Sequence, residues 1–415
     1  MVVGHDMRPS SPSLAAAFAD GVTSVGVDVI EAGLTSTDQL YYASGVLGLP
    51  GAMFTASHNP AHYNGIKLCW AGAAPVGRDT GLTEIKELAG SATATPPADS
   101  PKGRVTARDT LADYAAHLHS LVDLSGIRPL TVVVDAGNGM AGHTVPAVLA
   151  RHPITVVPLY FELDGTFPNH EANPIDPANL VDLQAAVREH GADLGLAFDG
   201  DADRCFVVDE RGALVSPSTL TALIAVRELS RAPGAPVVHN LITSAAVPEI
   251  IAEHGGTPVR TRVGHSLIKQ TMAETGAVFG GEHSGHFYFR DFWRADSGLL
   301  AAMHTLAALG NDTEARPLSQ LLAPYERYVA SGEVNSTVAD VDAATAAVES
   351  AFATGPEVTT DHLDGLTVRH SGEPMWWFNL RPSNTEPLLR LNVEAADRVT
   401  MERIRDDVLR VARAR

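Results

Sequence analysis

Leu194-Gly195-Leu196-Ala197-Phe198-Asp199-Gly200-Asp201-Ala202-Asp203-Arg204 decides how the rest of this chain is read. An apolar strand runs straight into three carboxylates at alternate positions. Carboxylates this close repel one another unless a cation neutralises them, and an all-oxygen ligand set favours Mg2+ or Ca2+ over zinc. An EF-hand loop shares the aspartate spacing, but it follows a helix and needs glycine at its sixth position, where this chain has Arg204. A solvated acidic turn explains the pattern poorly, because few turns stack three aspartates against a fully apolar strand. The segment reads as a cation-binding loop at a strand's carboxyl end, where ligands bind in open α/β sheets.

Outward from this strand, apolar runs at residues 25–30, 51–54, 131–134, 154–157 and 236–238 alternate with helical patterns at 13–25, 179–190, 244–254 and 266–275. Strands separated by single helices indicate βαβ units and mostly parallel sheets. After Tyr328 the pattern becomes strand-rich, with helices at 343–352 and 400–414. The expected fold class is α/β, with three successive mixed α/β sheet domains plus a C-terminal α+β domain. Residues 91–102, rich in Ala, Thr, Pro and Ser, read as a linker. The expected domains are 1–104, 105–212, 213–322 and 323–415.

Composition narrows the function. Hydrophobic residues make up 45% and charged residues 19% of 415, which is globular and too long for one core. No apolar run reaches membrane-spanning length, and the first residues lack a basic-then-apolar leader. Cys69 and Cys205 sit beside apolar residues and read as buried thiols, which suits a reducing cytoplasm. A net charge of −19 excludes nucleic acid as a partner. A phosphate-handling protein with that charge must gather its few cations at the site. Oligomeric state is not legible.

Four further segments carry chemistry. Thr55-Ala56-Ser57-His58-Asn59-Pro60 follows an apolar strand and puts a serine on a turn at the strand's end. Alone, the pattern suits a reactive serine and a self-satisfied turn equally well. Lys67, a little further on, is placed to return to this loop. Gly280-Gly281-Glu282-His283-Ser284-Gly285-His286 sets a carboxylate, a hydroxyl and two imidazoles among glycines, suited to sugar hydroxyls and proton transfer. Arg381-Pro382-Ser383-Asn384-Thr385-Glu386-Pro387, with Arg390 beyond, gathers donors for a phosphate. Gly264-His265-Ser266 enters a helix, offering either amides to an anion or Ser266 as a cap.

Together and in this order, these segments resemble the α-D-phosphohexomutase superfamily, in its bacterial phosphomannomutase/phosphoglucomutase branch, over nearly the whole chain. The resemblance implies a central cleft among four domains. It implies that Ser57 carries the transferred phosphate and that Asp199, Asp201 and Asp203 bind Mg2+ together with an oxygen of phosphorylated Ser57. Arg204 and Lys67 would stabilise charge on the moving phosphoryl group. Glu282 and Ser284 would grip sugar hydroxyls, and Arg381, Ser383, Asn384 and Thr385 would hold the phosphate that is not reacting. Lys67, His265 and His286 are the candidate general acids or bases.

The implied activity is that of a phosphomannomutase acting on small-molecule hexose phosphates, with hexose 1,6-bisphosphate as intermediate and activator. Glucose phosphates, alone or beside mannose phosphates, are the alternative substrates, since the two sugars differ only at C2. A phosphatase is another alternative, because water can attack a phosphoserine. A different class is an inactive, truncated paralogue with a binding role. Phosphoglucosamine mutases usually carry Gln where this chain has His283. The resemblance also implies an opening strand, helix and Arg-Gly loop before Val2-Val3-Gly4, and nothing here matches them. His5 stands where an arginine is common, while Arg8 is kept. The expectation is a shortened first domain with an unpaired strand edge and thin apolar cover. Such a chain should be less soluble and slower than one extended upstream.

Overall fold

The computed structural model describes residues 1–91, 101–383 and 388–414, with the backbone alone at Asp79 and His265. Four sheets follow one another along the chain. The first contains β1 (Val2–His5), β2 (Val29–Leu34), β3 (Gly51–Phe54), β4 (Ile66–Trp70), β5 (Ala74–Pro75) and β6 (Val105–Ala107), in the order β5-β4-β3-β1-β2-β6. The second contains β7 (Leu130–Asp135), β8 (Ile154–Leu159), β9 (Leu194–Phe198), β10 (Cys205–Asp209) and β11 (Leu214–Val215), in the order β11-β10-β9-β7-β8. The third contains β12 (Pro236–Asn240), β13 (Thr257–Thr261), β14 (Phe279–Gly281), β15 (Phe287–Phe289) and β16 (Ala295–Asp296), in the order β13-β12-β14-β15-β16.

These three sheets repeat one plan. A central strand pairs in parallel on both sides, and one parallel neighbour turns back through a loop into an antiparallel strand. The turning pairs are β3–β4, β9–β10 and β14–β15. The loops between them hold Ser57, the three aspartates and Glu282, so one corner of the plan recurs three times. The fourth sheet is antiparallel: β17 (Val329–Ser336), β18 (Val358–Asp361), β19 (Leu366–His370), β20 (Trp376–Pro382) and β21 (Leu389–Ala395), ordered β17-β21-β20-β19-β18. Helices Val341–Phe352 and Arg398–Ala412 cover it around a separate core. The fold is the α/β and α+β architecture expected, while the linker falls mostly outside the described residues.

Two expectations need correction. β2 begins at Val29, not at residue 25, because helix Ser11–Ser24 closes on Gly26 at φ +84 and leaves Val25 and Val27 exposed. β6 pairs with β2 in the first sheet, although the expected boundary puts residue 105 in the second domain. Within the first sheet β1 is central and pairs with both β2 and β3, while β5 covers β4 only at Cys69 and Trp70.

One carboxylate ties the first three units together. Helix Thr37–Leu47, capped by Ser36, carries fully buried Asp38. It accepts hydrogen bonds from Ser36 Oγ, from Tyr114 Oη of helix Leu111–Leu121 at 2.5 Å, and from Ser297 Oγ ahead of helix Gly298–Gly310 at 2.7 Å. Burial outweighs these hydroxyls and, with nearby Asp203, pushes the carboxyl up to about 6.

Stability contributed by the neutral acid is complete below the unfolded value of 3.8 and is lost as pH rises through about 6. The loss is on the order of 3 kcal/mol. Asp38→Asn cannot ionise, so its melting temperature relative to the parent should improve by a few degrees between about pH 5 and about pH 7.5. A flat difference across that range would show that Asp38 does not titrate there.

Candidate active site

The Ser57 loop is held in a strained shape by an arginine beneath it. Ser57 sits at φ 50, a left-handed conformation that costs a non-glycine residue energy. Its amide donates to Thr55 Oγ1 at 2.9 Å. Fully buried Arg8 donates to the carbonyls of Ser57, Asn59, Pro60 and Tyr63 at 2.8, 2.7, 2.8 and 3.1 Å, while its Nε reaches Asp6 at 3.2 Å. The five-donor fork of guanidinium is thereby fully used in over-determining the loop.

Gly200 lets the serine loop and aspartate loop meet backbone to backbone. A Cβ there would lie 2.4 Å from the Ser57 carbonyl oxygen. As a result Ser57 Oγ donates to Asp199 Oδ2 at 2.7 Å and lies 3.4 Å from Arg204 Nη2. Arg204 Nε also donates to Asp199 Oδ2, at 2.8 Å. Burial would raise the Asp199 pKa, but Arg204, Lys67 and Ser57 outweigh it and hold the carboxyl below its ordinary range. Neighbouring His58 is neutral, pushed down to about 4 by burial and by Arg204.

Lys67 comes from β4, and its Nζ lies 2.6 Å from both Asp201 Oδ2 and Asp203 Oδ2. Thr37 Oγ1 donates to the same Asp201 oxygen at 2.5 Å. Asp201 Oδ1 and Asp203 Oδ1 are buried with no hydrogen-bond partner. Ligand atoms of Asp199, Asp201 and Asp203 all lie within 4.8 Å of one another. Two cations, Lys67 and Arg204, thus face three carboxylates, and two buried oxygens are unused. That donor set fits a hard divalent cation.

His286 reaches the same group from the β14–β15 loop. Its Nδ1 lies 2.9 Å from Asp296 Oδ2 and 3.7 Å from Asp203 Oδ1. Asp296 is in turn paired with buried Lys269 at 2.7 Å. Burial disfavours the imidazolium, but Asp203 and Asp296 prevail and raise the His286 pKa. Glu282, buried in the same loop, accepts from Ser284 Oγ at 2.8 Å and keeps Oε1 without a partner, ready for a hydroxyl.

The fourth unit supplies Arg381 and Arg390, bridged by Glu333 at 3.2 and 3.0 Å. Arg390 also donates to Ser383 Oγ at 3.1 Å. A cavity of about 520 Å³ separates Glu333 and Arg390 from His283. Asn384 and Thr385 lie outside the described residues, as does the His265 side chain. Ser57, Lys67, Asp199, Asp201, Asp203, Arg204 and His286 therefore form one contacting group, with Glu282 and Ser284 on the adjoining loop.

Sequence reading missed four partners. Asp6-x-Arg8 at the end of β1 was a usable signal for the clamp, whereas Thr37, Asp296 and Glu333 carry none. Glu333 arrives only through the antiparallel pairing of β17 with β21.

The order of the four units matches known proteins. Residues 1–95, 112–212 and 216–328 match phosphoglucomutase/phosphomannomutase alpha/beta/alpha domains I, II and III, and residues 333–411 match the C-terminal domain of that family. A phosphomannomutase of Salmonella montevideo is 39% identical over 405 residues, covering 95% of this chain and 87% of that protein. The chain belongs to the phosphoglucomutase/phosphomannomutase family. Phosphohexose mutases of Xanthomonas campestris are 41% identical over 397 residues, covering 95% of this chain and 87% of theirs. A crystal structure of a phosphoglucomutase/phosphomannomutase family protein from Burkholderia thailandensis superposes with a TM-score of 0.88 at 33% identity, covering 100% of this chain and 88% of that one. Membership makes this chain an isomerase, an intramolecular phosphotransferase whose family implies a bound metal.

Asp201→Asn removes one of three clustered charges while keeping an oxygen for Thr37. Mg2+ affinity measured by titration calorimetry should fall on the order of tenfold or more. Equal affinity in parent and variant would mean that the cation binds elsewhere.

Proposed function

We propose that this chain is a phosphomannomutase that interconverts mannose 6-phosphate and mannose 1-phosphate through phosphorylated Ser57 and a hexose 1,6-bisphosphate. The observation that carries the reading is Ser57 Oγ, 2.7 Å from ionised Asp199 and beside Arg204, on a clamped loop facing three carboxylates. Curated relatives named phosphomannomutase support the same sugar. Glucose phosphates are the second reading, favoured by the Xanthomonas relatives named for hexoses in general.

Phosphoryl transfer is mostly alignment and charge stabilisation. A free hydroxyl of the bound hexose phosphate attacks phosphorus, the bond to Ser57 Oγ breaks, and the hydroxyl proton passes to a base. The bisphosphate turns over, and Ser57 Oγ takes the other phosphate by the same displacement. Asp199, Asp201 and Asp203 would hold Mg2+, which when bound neutralises charge on the transferring group. Arg204 lies against Ser57 Oγ and offers a guanidinium to the phosphoryl oxygens. Burial works against charge on Lys67, but Asp201 and Asp203 push its pKa well above the ordinary value. With its Nζ held on these two carboxylates, it offers a positive charge to the site.

Of Lys67 and His286, the candidates whose side chains are described, His286 is the better placed to move the proton. Its Nδ1 engages Asp296, which leaves Nε2 for the substrate hydroxyl. Glu282 and Ser284 would orient the sugar, and Arg381 and Ser383 would hold the resting phosphate. Among the described residues no helix is long and apolar enough to cross a membrane, and the free cysteines Cys69 and Cys205 are buried. Both fit a cytoplasmic enzyme.

The test is a coupled assay with mannose 1-phosphate and glucose 1-phosphate, supplied with Mg2+ and catalytic glucose 1,6-bisphosphate. Ser57→Ala should lose activity by on the order of a thousandfold or more while keeping its circular dichroism spectrum. Intact mass should show one added phosphate on the parent and none on the variant. Undiminished turnover in Ser57→Ala would end the phosphoserine reading. Glu282→Ala should slow both sugars alike, because its carboxylate would meet hydroxyls that they share.

A further inference from the structure

The sugar loop contains an imidazole with no part in the phosphoryl transfer itself. His283 follows Glu282, and a short chain of hydrogen bonds fixes its ring. Thr243 Oγ1 donates to Oδ1 of fully buried Asn240 at 2.7 Å, which orients the amide. Asn240 Nδ2 then faces His283 Nδ1 at 3.1 Å. An amide NH2 only donates, so Nδ1 is the bare acceptor and the ring proton resides on Nε2. Burial, reinforced by Arg381 and Arg390, pushes the His283 pKa down to about 3, which keeps the ring neutral near neutral pH. Nε2 has no partner among the described residues, and His283 lines the 520 Å³ cavity opposite Arg390 and Glu333. The loop thus presents a neutral N–H donor, fixed by two buried residues, at a cavity that Arg390 of the fourth unit also lines.

We propose that His283 is a further substrate-binding residue, whose Nε2–H donates to an oxygen of the phosphate that is not being transferred. The inference rests on the proposed function for the identity of that phosphate. A neutral donor suits the position. The cradle must hold each end of the sugar in turn and release it between half-reactions, and a third full cation there would oppose release. Glu333, bridging both arginines, limits the charge in the same way.

Four forms of the full chain test this: the parent, His283→Ala, His283→Gln and Asn240→Asp. With mannose 1-phosphate, His283→Ala should raise KM about tenfold and change kcat less than about threefold. His283→Gln keeps an N–H donor and should return KM to within about threefold of the parent. Asn240→Asp replaces the aiming donor with an acceptor, moves the ring proton to Nδ1, and should behave like His283→Ala. Nitrogen-15 spectra of the imidazole should show the neutral Nε2–H form in the parent from about pH 5 to about pH 8, and its loss in Asn240→Asp. An unchanged KM in His283→Ala, or an Nδ1–H ring in the parent, would overturn the inference. Asn240→Asp and the spectra decide it should His283→Ala not fold. A parent that binds mannose 1-phosphate without turning it over would sink the mutase reading. In that event a tenfold weaker Kd in His283→Ala would still uphold this contact, and an equal Kd would refute it.

Discussion

Three carboxylates at the end of one buried strand must be neutralised, and much of the molecule is arranged around that constraint. Asp199, Asp201 and Asp203 are all buried, so each ionised group forfeits hydration that only close partners return. Arg204 serves the first from within the same loop, and Lys67 serves the other two from a neighbouring sheet. Thr37 adds a hydroxyl to Asp201, and its amide donates to the Asp201 carbonyl. The contact between the first two units therefore includes the side chains proposed to handle the phosphoryl group. Stability of that junction and competence of the site cannot be varied independently.

The same constraint answers the charge imbalance. A chain with a net charge of −19 keeps several of its cations inside: Arg8, Arg204, Lys269 and Arg381 are all buried. Arg8 commits its donors to carbonyls, and Lys269 serves Asp296 behind His286. The acidic surplus stands largely outside, where water screens it.

What the sequence disclosed depended on whether partners were close along the chain. Ser57, the aspartate loop and Glu282 lie in continuous motifs at strand ends, so pattern and chemistry coincide there. Thr37 and Glu333 are ordinary residues in their own segments, a helix start and an alternating strand, and only distant pairing makes them part of the site. The start of β2 was misread because Val25, Val27 and Val29 look like one run of strand formers, while Gly26 closes the preceding helix between them. Strand order was likewise not legible, because crossovers put β1 between β2 and β3.

The threefold recurrence of one corner, at β3–β4, β9–β10 and β14–β15, divides labour in a way that bears on change over time. The first corner presents Ser57, the second three buried carboxylates, and the third Glu282, Ser284 and His286. The corners also touch backbone to backbone, with Gly200 against the Ser57 carbonyl and Arg204 bridged to His286, so a change in one is felt by its neighbours. A lineage therefore revises these three loops in concert, since a new side chain at one corner must be accommodated by the backbone of the next.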